Sequence, residues 1–320
     1  MIQASLLGTA SGVPDRCITS EDLVALAGLR WSAEEVTRRT GICTRYWIGD
    51  APMAPLVART VRNALDRAGL RPEAIARLIF VNSTGGDVLF PATCNAVLAE
   101  LGLAHTCDAF DLNNACMGFL TAFDLAARCV ATGIGPVAIV AIENPSRFIV
   151  KETIRSYLIF GDAVAAAIVG RGASGRILAS AFGNDPSQRE AVVLAHPGLT
   201  GRREHIEFHD SNREISDAAI AAIDRCSRRA LAECGFTYEQ VDWFVTHQPN
   251  GRMLDEIVQA LGLPREKTVS VVERIGSVGA VSLPFALDVL MRTRPVRRGQ
   301  RVLMAGVGAG AAYGAILYEV

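Results

Sequence analysis

The feature that most constrains the fold of this 320-residue chain is a layout that occurs twice along it. Residues 68–81 and residues 234–247 each have a glycine in second place, a short turn after it and an apolar run at the end. A glycine in that position is typical of a helix end, and the apolar run predicts a strand. The spacing from the glycine to the end of the run is the same in both segments. The chain is therefore expected to contain two halves of one design.

The register of the repeat continues beyond these two strands. The step from the next helix-end glycine to Cys116 in the first half equals the corresponding step to Gly276 in the second, so Cys116 matches the 276–277 turn. Strands that alternate with helices twice over predict two βαβ-rich halves of an α/β protein with mostly parallel sheets. We place these halves at residues 1–171 and 172–320. Active sites in such sheets lie at the carboxyl ends of strands.

Composition and charge disfavour several classes of protein. Half of the residues are hydrophobic, a fifth are charged and the net charge is −1, which predicts a compact protein that does not bind nucleic acid. The eight cysteines form no C-x-x-C pair, and the first residues lack the basic segment of a signal peptide, so we expect a reduced, cytoplasmic protein. The long uncharged stretch at 302–318 is interrupted by glycines, which predicts strand–turn–strand and no membrane partner.

Cys116 lies where a predicted strand passes directly into a predicted helix of small residues that begins near Gly118. The unpaired N–H groups and the dipole at a helix start favour thiolate over thiol, which would make Cys116 a nucleophile. A free cysteine is also one of the most commonly buried residue types, so core packing is the alternative. Its position at a strand-to-helix turn favours the nucleophile.

His247 follows a second apolar strand and precedes a proline-containing turn. Alone it would be interpreted as a structural histidine, but a thiol at a helix start together with a histidine is the minimum set for covalent acyl transfer. Such a reaction also needs donors for an oxyanion. The N–H of Cys116 can supply one, and the glycine-rich turn at 306–310 can supply another because its small residues let the backbone approach a ligand.

Five segments together carry a resemblance to a known family. They are Ala-Cys-Met-Gly-Phe at 115–119, Ile-Phe-Gly-Asp at 159–162, His-Gln-Pro-Asn at 247–250, Gly-Ala-Val-Ser-Leu-Pro at 279–284 and the terminal glycine turn. On these motifs the chain resembles the thiolase superfamily, and within it the β-ketoacyl-acyl-carrier-protein synthase III group. The resemblance covers nearly the whole length. It implies a thiolase-like five-layered α-β-α-β-α fold and a homodimer.

The resemblance also implies roles for individual residues. Cys116 would accept an acyl group from a thioester, and the N–H groups of Cys116 and Ala309 would form the oxyanion hole. Phe90 would reach the neighbouring subunit's acyl pocket. The residues around the substrate would be Met117, Asn250 and Gly308. Arg39 and Arg252 would lie at the pantetheine entrance. For the two arginines, a solvated surface charge is the alternative. No metal and no permanently bound cofactor are expected.

The sequence departs from the family at two positions. Condensing enzymes of the family carry an asparagine where this chain has Ser277, and that asparagine acts with the histidine to hold the thioester carbonyl of a malonyl extender as carbon dioxide leaves. Serine is shorter and offers one rotatable hydroxyl, and the loss of one such donor typically costs about a hundred- to a thousandfold in rate. The family's cofactor-stacking tryptophan is replaced by Glu35, and Trp31 is out of register. An anion there disfavours CoA, although acyl-CoA and a phosphopantetheinyl acyl-carrier protein both stay open as substrates.

Three functions follow from these observations. We favour a ketosynthase III-like acyltransferase of fatty-acid-like or specialised, polyketide-type metabolism, in which acyl-Cys116 passes its acyl group to a hydroxyl, an amine or a pre-formed carbanion, with His247 as general base. The first alternative is standard decarboxylative condensation with a malonyl thioester, with Ser277 as a tolerated variant. The second is a non-catalytic partner subunit of a heterodimeric ketosynthase, which the presence of both Cys116 and His247 disfavours.

Overall fold

A computed structural model describes residues 1–320 and contains two five-stranded sheets. The elements of the first half are β1 (Ile2–Gln3), β2 (Ser5–Gly12), β3 (Cys17–Thr19), α1 (Ser20–Ala27), α2 (Ala33–Thr40), β4 (Thr44–Tyr46), α3 (Met53–Ala68), β5 (Arg77–Val81), α4 (Cys94–Leu101), β6 (Asp108–Leu112), α5 (Gly118–Ala131), β7 (Val137–Glu143), α6 (Ile154–Ile159) and β8 (Ala163–Gly170). Those of the second half are β9 (Arg176–Asn184), β10 (Val192–Val193), α7 (Pro197–Thr200), β11 (Glu207–Phe208), α8 (Asn212–Glu233), β12 (Trp243–Thr246), α9 (Gly251–Ala260), α10 (Val272–Ile275), α11 (Ser282–Thr293), β13 (Arg301–Gly308) and β14 (Ala312–Glu319).

The internal repeat is present in the structure. The run β5, α4, β6, α5, β7, β8 of the first half recurs in the second half as β12, α9, a single bridge, α11, β13, β14. That bridge pairs Phe244 with Thr268 and stands where β6 stands in the first half. The helix ends before the repeated strands have their predicted glycines, with Gly69 at φ 67° and Gly235 at φ 70°, a left-handed conformation that glycine adopts without strain.

The sheets contain fewer parallel pairs than the sequence suggested. In the first sheet, ordered β2-β8-β7-β5-β6, only β7–β5 and β5–β6 are parallel, and in the second, ordered β1-β9-β14-β13-β12, only β12–β13 is parallel. The expectation of mostly parallel sheets is therefore wrong. A parallel pair needs a long crossover between its strands, whereas β13 returns directly into β14 through the tight turn at Gly310, which forces antiparallel pairing.

The elements stack in five layers. The helices α5 and α11 lie between the two sheets, α3 and α4 cover the outer face of the first sheet, and α8 and α9 cover the outer face of the second. The largest apolar cluster joins α5 and α11 to the inner faces of both sheets. This is the α-β-α-β-α arrangement expected of a thiolase-like fold. No helix is long and apolar enough to cross a membrane.

One strand crosses from the first half into the second sheet. Ile2 and Gln3 of β1 pair antiparallel with Ile177 and Arg176 of β9. The division of the chain at residues 171 and 172 stays a prediction.

Candidate active site

Cys116 lies in a strained turn between β6 and α5. Residues Ala115–Met117 form one turn of 3₁₀ helix, and Ala115 has a φ of 45°, a left-handed conformation that a non-glycine residue rarely adopts. The side-chain oxygen of Asn113 accepts a hydrogen bond of 3.0 Å from the Ala115 N–H and holds this conformation. Strain of this kind concentrates at functional sites.

The surroundings of the Cys116 sulfur raise the pKa of the thiol. Cys116 is a half-buried residue, and desolvation raises its pKa to about 12, with the charge of Glu143 as the second cause. The N–H groups of Ala309 and of Cys116 itself hydrogen-bond the sulfur and oppose the shift. The sequence predicted a thiolate favoured by the helix start, whereas the structure raises the pKa of this thiol. The helix-end donors are present, but burial outweighs them.

His247 directly follows β12 and is 5% exposed. Its Nδ1 lies 2.8 Å from the hydroxyl oxygen of Ser282, the first residue of α11, and the Gly279 carbonyl accepts a hydrogen bond from the imidazole. Burial lowers the pKa of His247 to about 4, and the bond to Gly279 opposes this shift. The imidazole is therefore neutral at physiological pH and able to accept a proton.

Gly306 and Gly308 leave one face of β13 without side chains, here called the bare face, and both the Cys116 turn and His247 approach it. A methyl group added at Gly306 would lie 3.2 Å from the Met117 sulfur and 3.5 Å from His247 Cβ. One added at Gly308, two residues along the same face, would lie 3.0 Å from the Cys116 nitrogen. Glycine at both positions thus lets the backbone of the Cys116 turn and the base of the His247 side chain approach β13 closely.

Ser277 lies in the turn between α10 and α11 of the second half. Its N–H donates to the Ile159 carbonyl at 2.7 Å, and its own carbonyl accepts from the Gly161 N–H at 3.0 Å. Gly276 before it has a φ of 76°, and a methyl group there would lie 2.9 Å from the Ile159 carbonyl oxygen. The backbone at Ser277 is therefore fixed, and Ser277 is 3% exposed.

Two family models match this chain. Residues 110–186 match the model described as 3-oxoacyl-[acyl-carrier-protein (ACP)] synthase III, and residues 231–320 match the model of its C terminal. A β-ketoacyl-[acyl-carrier-protein] synthase III from Erythrobacter litoralis (strain HTCC2594) is 34% identical over 325 residues, covering 99% of each chain. The chain belongs to the 3-oxoacyl-acyl-carrier-protein synthase III family.

Solved structures agree with membership of the synthase III family. The crystal structure of 3-oxoacyl-[acyl-carrier-protein] synthase III from Aquifex aeolicus VF5 superposes with a TM-score of 0.91 at 28% identity, covering 99% of this chain and 100% of that one. The priming β-ketosynthase from the R1128 polyketide biosynthetic pathway gives a TM-score of 0.90 at 29% identity, covering 99% and 96%. Membership makes the protein a ketosynthase III-like, transferase-type enzyme.

The two arginines expected at the entrance of this synthase III-like site lie on adjoining segments. Gly41 after α2 and Gly251 at the start of α9 touch so closely that a methyl group at Gly41 would lie 2.7 Å from Gly251 Cα. Arg39 and Arg252 therefore lie on neighbouring segments, and their place at a pantetheine entrance stays a prediction. Arg252 is exposed and forms no ion pair.

Arg39 is also engaged by its neighbours. Its guanidinium donates two hydrogen bonds, of 3.0 and 2.7 Å, to one carboxylate oxygen of Glu35 and lies 4.6 Å from the ring centre of Trp31. Glu35 is thus paired with a cation, and Trp31 stacks on that cation. The effect of Glu35 on CoA binding stays a prediction, now with Arg39 as the partner of its carboxylate.

The remaining residues expected around the substrate differ in exposure. Phe90 is 89% exposed and stands beside the exposed side chains of Val88 and Leu89. Met117 is fully buried and packs against Gly306. The Asn250 side chain accepts a hydrogen bond from the Met253 N–H at 2.9 Å, so it caps α9. This capping gives Asn250 a structural function that its motif alone did not reveal.

No group of three or more histidine, cysteine, aspartate or glutamate side chains could hold a metal ion. His205 and His209, whose spacing would suit a metal on a helix, instead flank Glu207 of the short strand β11, at 3.1 and 3.3 Å from its carboxylate.

Sequence analysis missed several residues of the site. Gly279 and Ser282 belong to the 279–284 motif, but the sequence assigned them no role, and Ser83 carries no chemical signature by itself. Glu143 had one signal, because it is the single charge that ends the apolar run of β7, and the structure buries it at 2% exposure.

Proposed function

We propose that this synthase III family member is an acyltransferase in which Cys116 takes an acyl group from an acyl thioester and passes it to a separate acceptor. The observation that carries the proposal is the convergence of Cys116, His247 and the N–H of Ala309 on the bare face of β13. A nucleophile, a neutral base and oxyanion donors are the parts that covalent acyl transfer requires.

In the first half-reaction the sulfur of Cys116 attacks the thioester carbonyl. The imidazole of His247, neutral because burial lowers its pKa to about 4, accepts the thiol proton as the bond forms. The carbonyl oxygen becomes an oxyanion, for which the N–H groups of Cys116 and Ala309 are the donors. The donor's thiolate then leaves and takes the proton from His247, so that an acyl-Cys116 and a free thiol result.

In the second half-reaction an acceptor attacks acyl-Cys116. His247 removes the proton from an acceptor hydroxyl or amine, and Cys116 leaves as thiolate and is reprotonated. Such a transfer needs no stabilisation of an enolate, so it does not need the amide that condensing enzymes of the family use. Ser277, whose backbone is fixed and whose side chain is one hydroxyl, suits this reaction better than decarboxylation.

The donor in this proposal is an acyl group carried on a phosphopantetheinyl carrier protein. Glu35 pairs with Arg39 and Trp31 stacks on Arg39, so these three side chains already engage one another where a CoA adenine would have to bind. Arg252 stays unpaired for an acidic partner. The relatives from Erythrobacter and Aquifex are named for an acyl-carrier protein, which agrees with this donor.

We also propose that the protein acts as a homodimer. Val88, Leu89 and Phe90 are 54%, 73% and 89% exposed, and three consecutive apolar side chains on a surface mark an interaction site. A second copy of the chain would cover them. Size measurement of the wild type and of Phe90→Ser tests this, with a monomeric wild type as the contradicting result.

Decarboxylative condensation is the second candidate. It is favoured by the names of the relatives, which include a β-ketoacyl synthase 34% identical over 99% of the chain. In this reaction a malonyl thioester loses carbon dioxide, and the resulting enolate attacks acyl-Cys116. Ser277 would then have to stabilise the enolate oxygen with its hydroxyl.

A two-step assay separates these functions. The purified protein is charged with acyl-carrier protein or acyl-CoA, the Cys116 adduct is followed by intact mass, and a malonyl thioester is then added while carbon dioxide is recorded. A stable adduct without carbon dioxide supports transfer to another acceptor. An adduct followed by carbon dioxide and a ketoacyl product supports condensation and overturns our proposal.

Absence of any adduct from every donor would indicate a non-catalytic subunit. Slow alkylation of Cys116 by iodoacetamide at neutral pH would not indicate a non-catalytic subunit. Burial raises the pKa of this thiol to about 12, so slow alkylation is expected of the active enzyme as well.

A further inference from the structure

Glu143 is a buried carboxyl that the acyl-transfer chemistry does not use. It is the last residue of β7, is 2% exposed and forms no ion pair with any arginine, lysine or histidine. An uncompensated carboxyl in such a place is unfavourable unless hydrogen bonds satisfy it. Burial raises its pKa to about 7, with nearby Asp162 adding to the shift. A group held against this cost is expected to have a function.

The carboxylate of Glu143 joins the two halves of the molecule. From the first half, the hydroxyl of Ser83 donates to Oε1 and the Ser83 N–H donates to Oε2 at 3.3 Å. From the second half, the Ala280 N–H donates to Oε1 at 3.4 Å. A methyl group at Gly279 would lie 3.0 Å from Glu143 Cγ, so the glycine there permits the carboxylate to reach the turn.

The turn that Glu143 contacts is the one that holds the base. The carbonyl of Gly279 accepts hydrogen bonds from the imidazole of His247 and from the hydroxyl of Ser282, the latter at 3.3 Å. Ser277 lies two residues before Gly279 in the same turn. A displacement of Gly279 would therefore change both the orientation of the His247 imidazole and the position of Ser277.

Glu143 also acts on the nucleophile through its charge. It is the charged group whose interaction raises the pKa of Cys116, second only to burial. The groups that face Glu143 are Cys116, Asp162, Ser83 and the 279–280 turn, and none of these is a cation. A carboxylate in this place disfavours a thiolate at Cys116.

We propose that Glu143 is a positioning residue of this site, which fixes the 277–282 turn and with it His247, and whose negative charge, added to burial, lowers the thiolate fraction of Cys116. This inference rests on the proposed function of Cys116 and His247. It assigns to Glu143 two effects of opposite sign. Its hydrogen bonds assist acyl transfer, and its charge restrains the free thiol from reacting with other electrophiles.

The test compares Glu143→Gln with Glu143→Asp in the full-length protein at pH 8.5, where Glu143 is ionised. Glu143→Gln removes the charge and one acceptor, so alkylation of Cys116 by iodoacetamide is expected to rise about three- to tenfold, since the thiolate fraction follows the pKa tenfold per unit. Transfer from acyl-Cys116 to acceptor is expected to fall about tenfold because the turn is less firmly held. Glu143→Asp keeps the charge but is shorter, so transfer is expected to fall while alkylation stays unchanged.

The two readouts distinguish this inference from a merely structural function. If Glu143 had only a structural function, its substitution would lower the rates of acyl transfer and of Cys116 alkylation together, in proportion to the loss of folded protein. Asp288→Asn provides the reference for such an effect, because it removes a buried charge farther along α11. Equal alkylation rates in wild type and Glu143→Gln would overturn the electrostatic part, and unchanged transfer would overturn the positioning part. If the wild type forms no acyl adduct, the proposed function fails, but the alkylation ratio still tests the effect of Glu143 on Cys116.

Discussion

The turn before α5 and the turn before α11 occupy matching places in the two halves, but they differ in what they hold. The first carries Cys116 after the strained Ala115, with a φ of 45°. The second carries Ser277 after Gly276, and two backbone hydrogen bonds fasten it to residues 159 and 161 of the other half. One turn therefore presents a reactive atom under strain, whereas the other presents a short hydroxyl on a fixed backbone.

Under the proposed function, the duplicated fold divides one reaction between its two halves. The repeat supplies two turns that lead into helices and lie close together, since a methyl group added at Gly118 would lie 3.7 Å from Ala280 Cβ. In the function that we propose, the first half supplies the nucleophile, and the second half supplies the base, His247, together with the turn that orients it. The predictions below test how far each turn depends on its own residue.

The largest effect is expected for Cys116→Ala. Removing the sulfur abolishes the acyl adduct, and acyl transfer is expected to fall by about a thousandfold or more, since covalent catalysis is lost. Intact mass after incubation with acyl donor measures the adduct. Cys234→Ala, at the end of α8, is the matched control and should form the adduct as the wild type does. An adduct on Cys116→Ala would place the nucleophile elsewhere.

Ser277→Asn makes the second turn more like that of a condensing enzyme. The added amide donor is expected to raise carbon dioxide release from a malonyl thioester by about a hundredfold, because one oxyanion-type donor contributes roughly that much. Ser277→Ala is the control and should leave acylation of Cys116 unchanged. If Ser277→Asn gains nothing, the difference between the two turns does not reside in this side chain.

Gly308→Ala tests the space between the turns. The added methyl group would lie 3.0 Å from the Cys116 nitrogen and 3.2 Å from the Met117 nitrogen, so the first turn must shift. Acylation is expected to slow by about tenfold to a hundredfold as the oxyanion donors move. Gly12→Ala in β2, where the nearest atoms are 3.5 Å away, should show no such loss. Equal rates for the two variants would contradict a crowded site.

The pH dependence of acyl transfer tests the state of His247. Only the neutral imidazole accepts a proton, and burial lowers its pKa to about 4. The decay rate of acyl-Cys116 in the presence of acceptor is therefore expected to stay level from pH 8 to about pH 5 and to fall below it. If the rate instead falls to half near pH 6.5, which is the ordinary pKa of histidine, His247 is not buried as described.

The smallest effect concerns stability. The pKa of Glu143 is raised to about 7 in the folded protein, so it contributes stability that is present below pH 4.5 and lost as the pH rises through 7. His247 has a lowered pKa, so its contribution is present above pH 6.5 and lost as the pH falls through 4. Between pH 5 and 6.5 the two effects oppose each other.

Glu143→Gln removes one of these opposing effects. The unfolding free energy of the variant is expected to rise between pH 5 and pH 7 relative to the wild type, by on the order of 2 kcal/mol. Denaturant unfolding at pH 5 and pH 7 measures this difference. The hydrogen bonds that the variant loses lower its unfolding free energy equally at both pH values, so their contribution cancels when the change between the two pH values is compared with that of the wild type. An identical pH dependence in both proteins would show that Glu143 is not buried as a carboxylate.

The sequence was sufficient for the local features of the fold and site. The helix-end glycines, the strand ends and the turns that hold Cys116 and His247 are encoded within a few residues, and the structure has them at the predicted places. The family motifs added the five layers, which depend on packing that no short segment specifies. Strand directions were only partly predicted, because an apolar run does not show which strand it will pair with.

The properties that sequence did not reveal depend on distant residues. The pKa of Cys116 is set by burial and by Glu143, and the contact of Glu143 with Ala280 joins residues 137 positions apart. Trp31 appeared out of register, but its ring stacks on Arg39 and changes what Glu35 can do. Such effects arise only when separate elements meet in three dimensions.

The pairing of β1 with β9 has a consequence for dividing the polypeptide. A chain cut after residue 171 would leave β9 at an open sheet edge in the second fragment, since its partner Ile2–Gln3 stays on the first. An exposed strand edge is a template for pairing with another molecule. We expect the second fragment alone to self-associate, and complementation between the fragments to require the first few residues as well as the interface between the sheets.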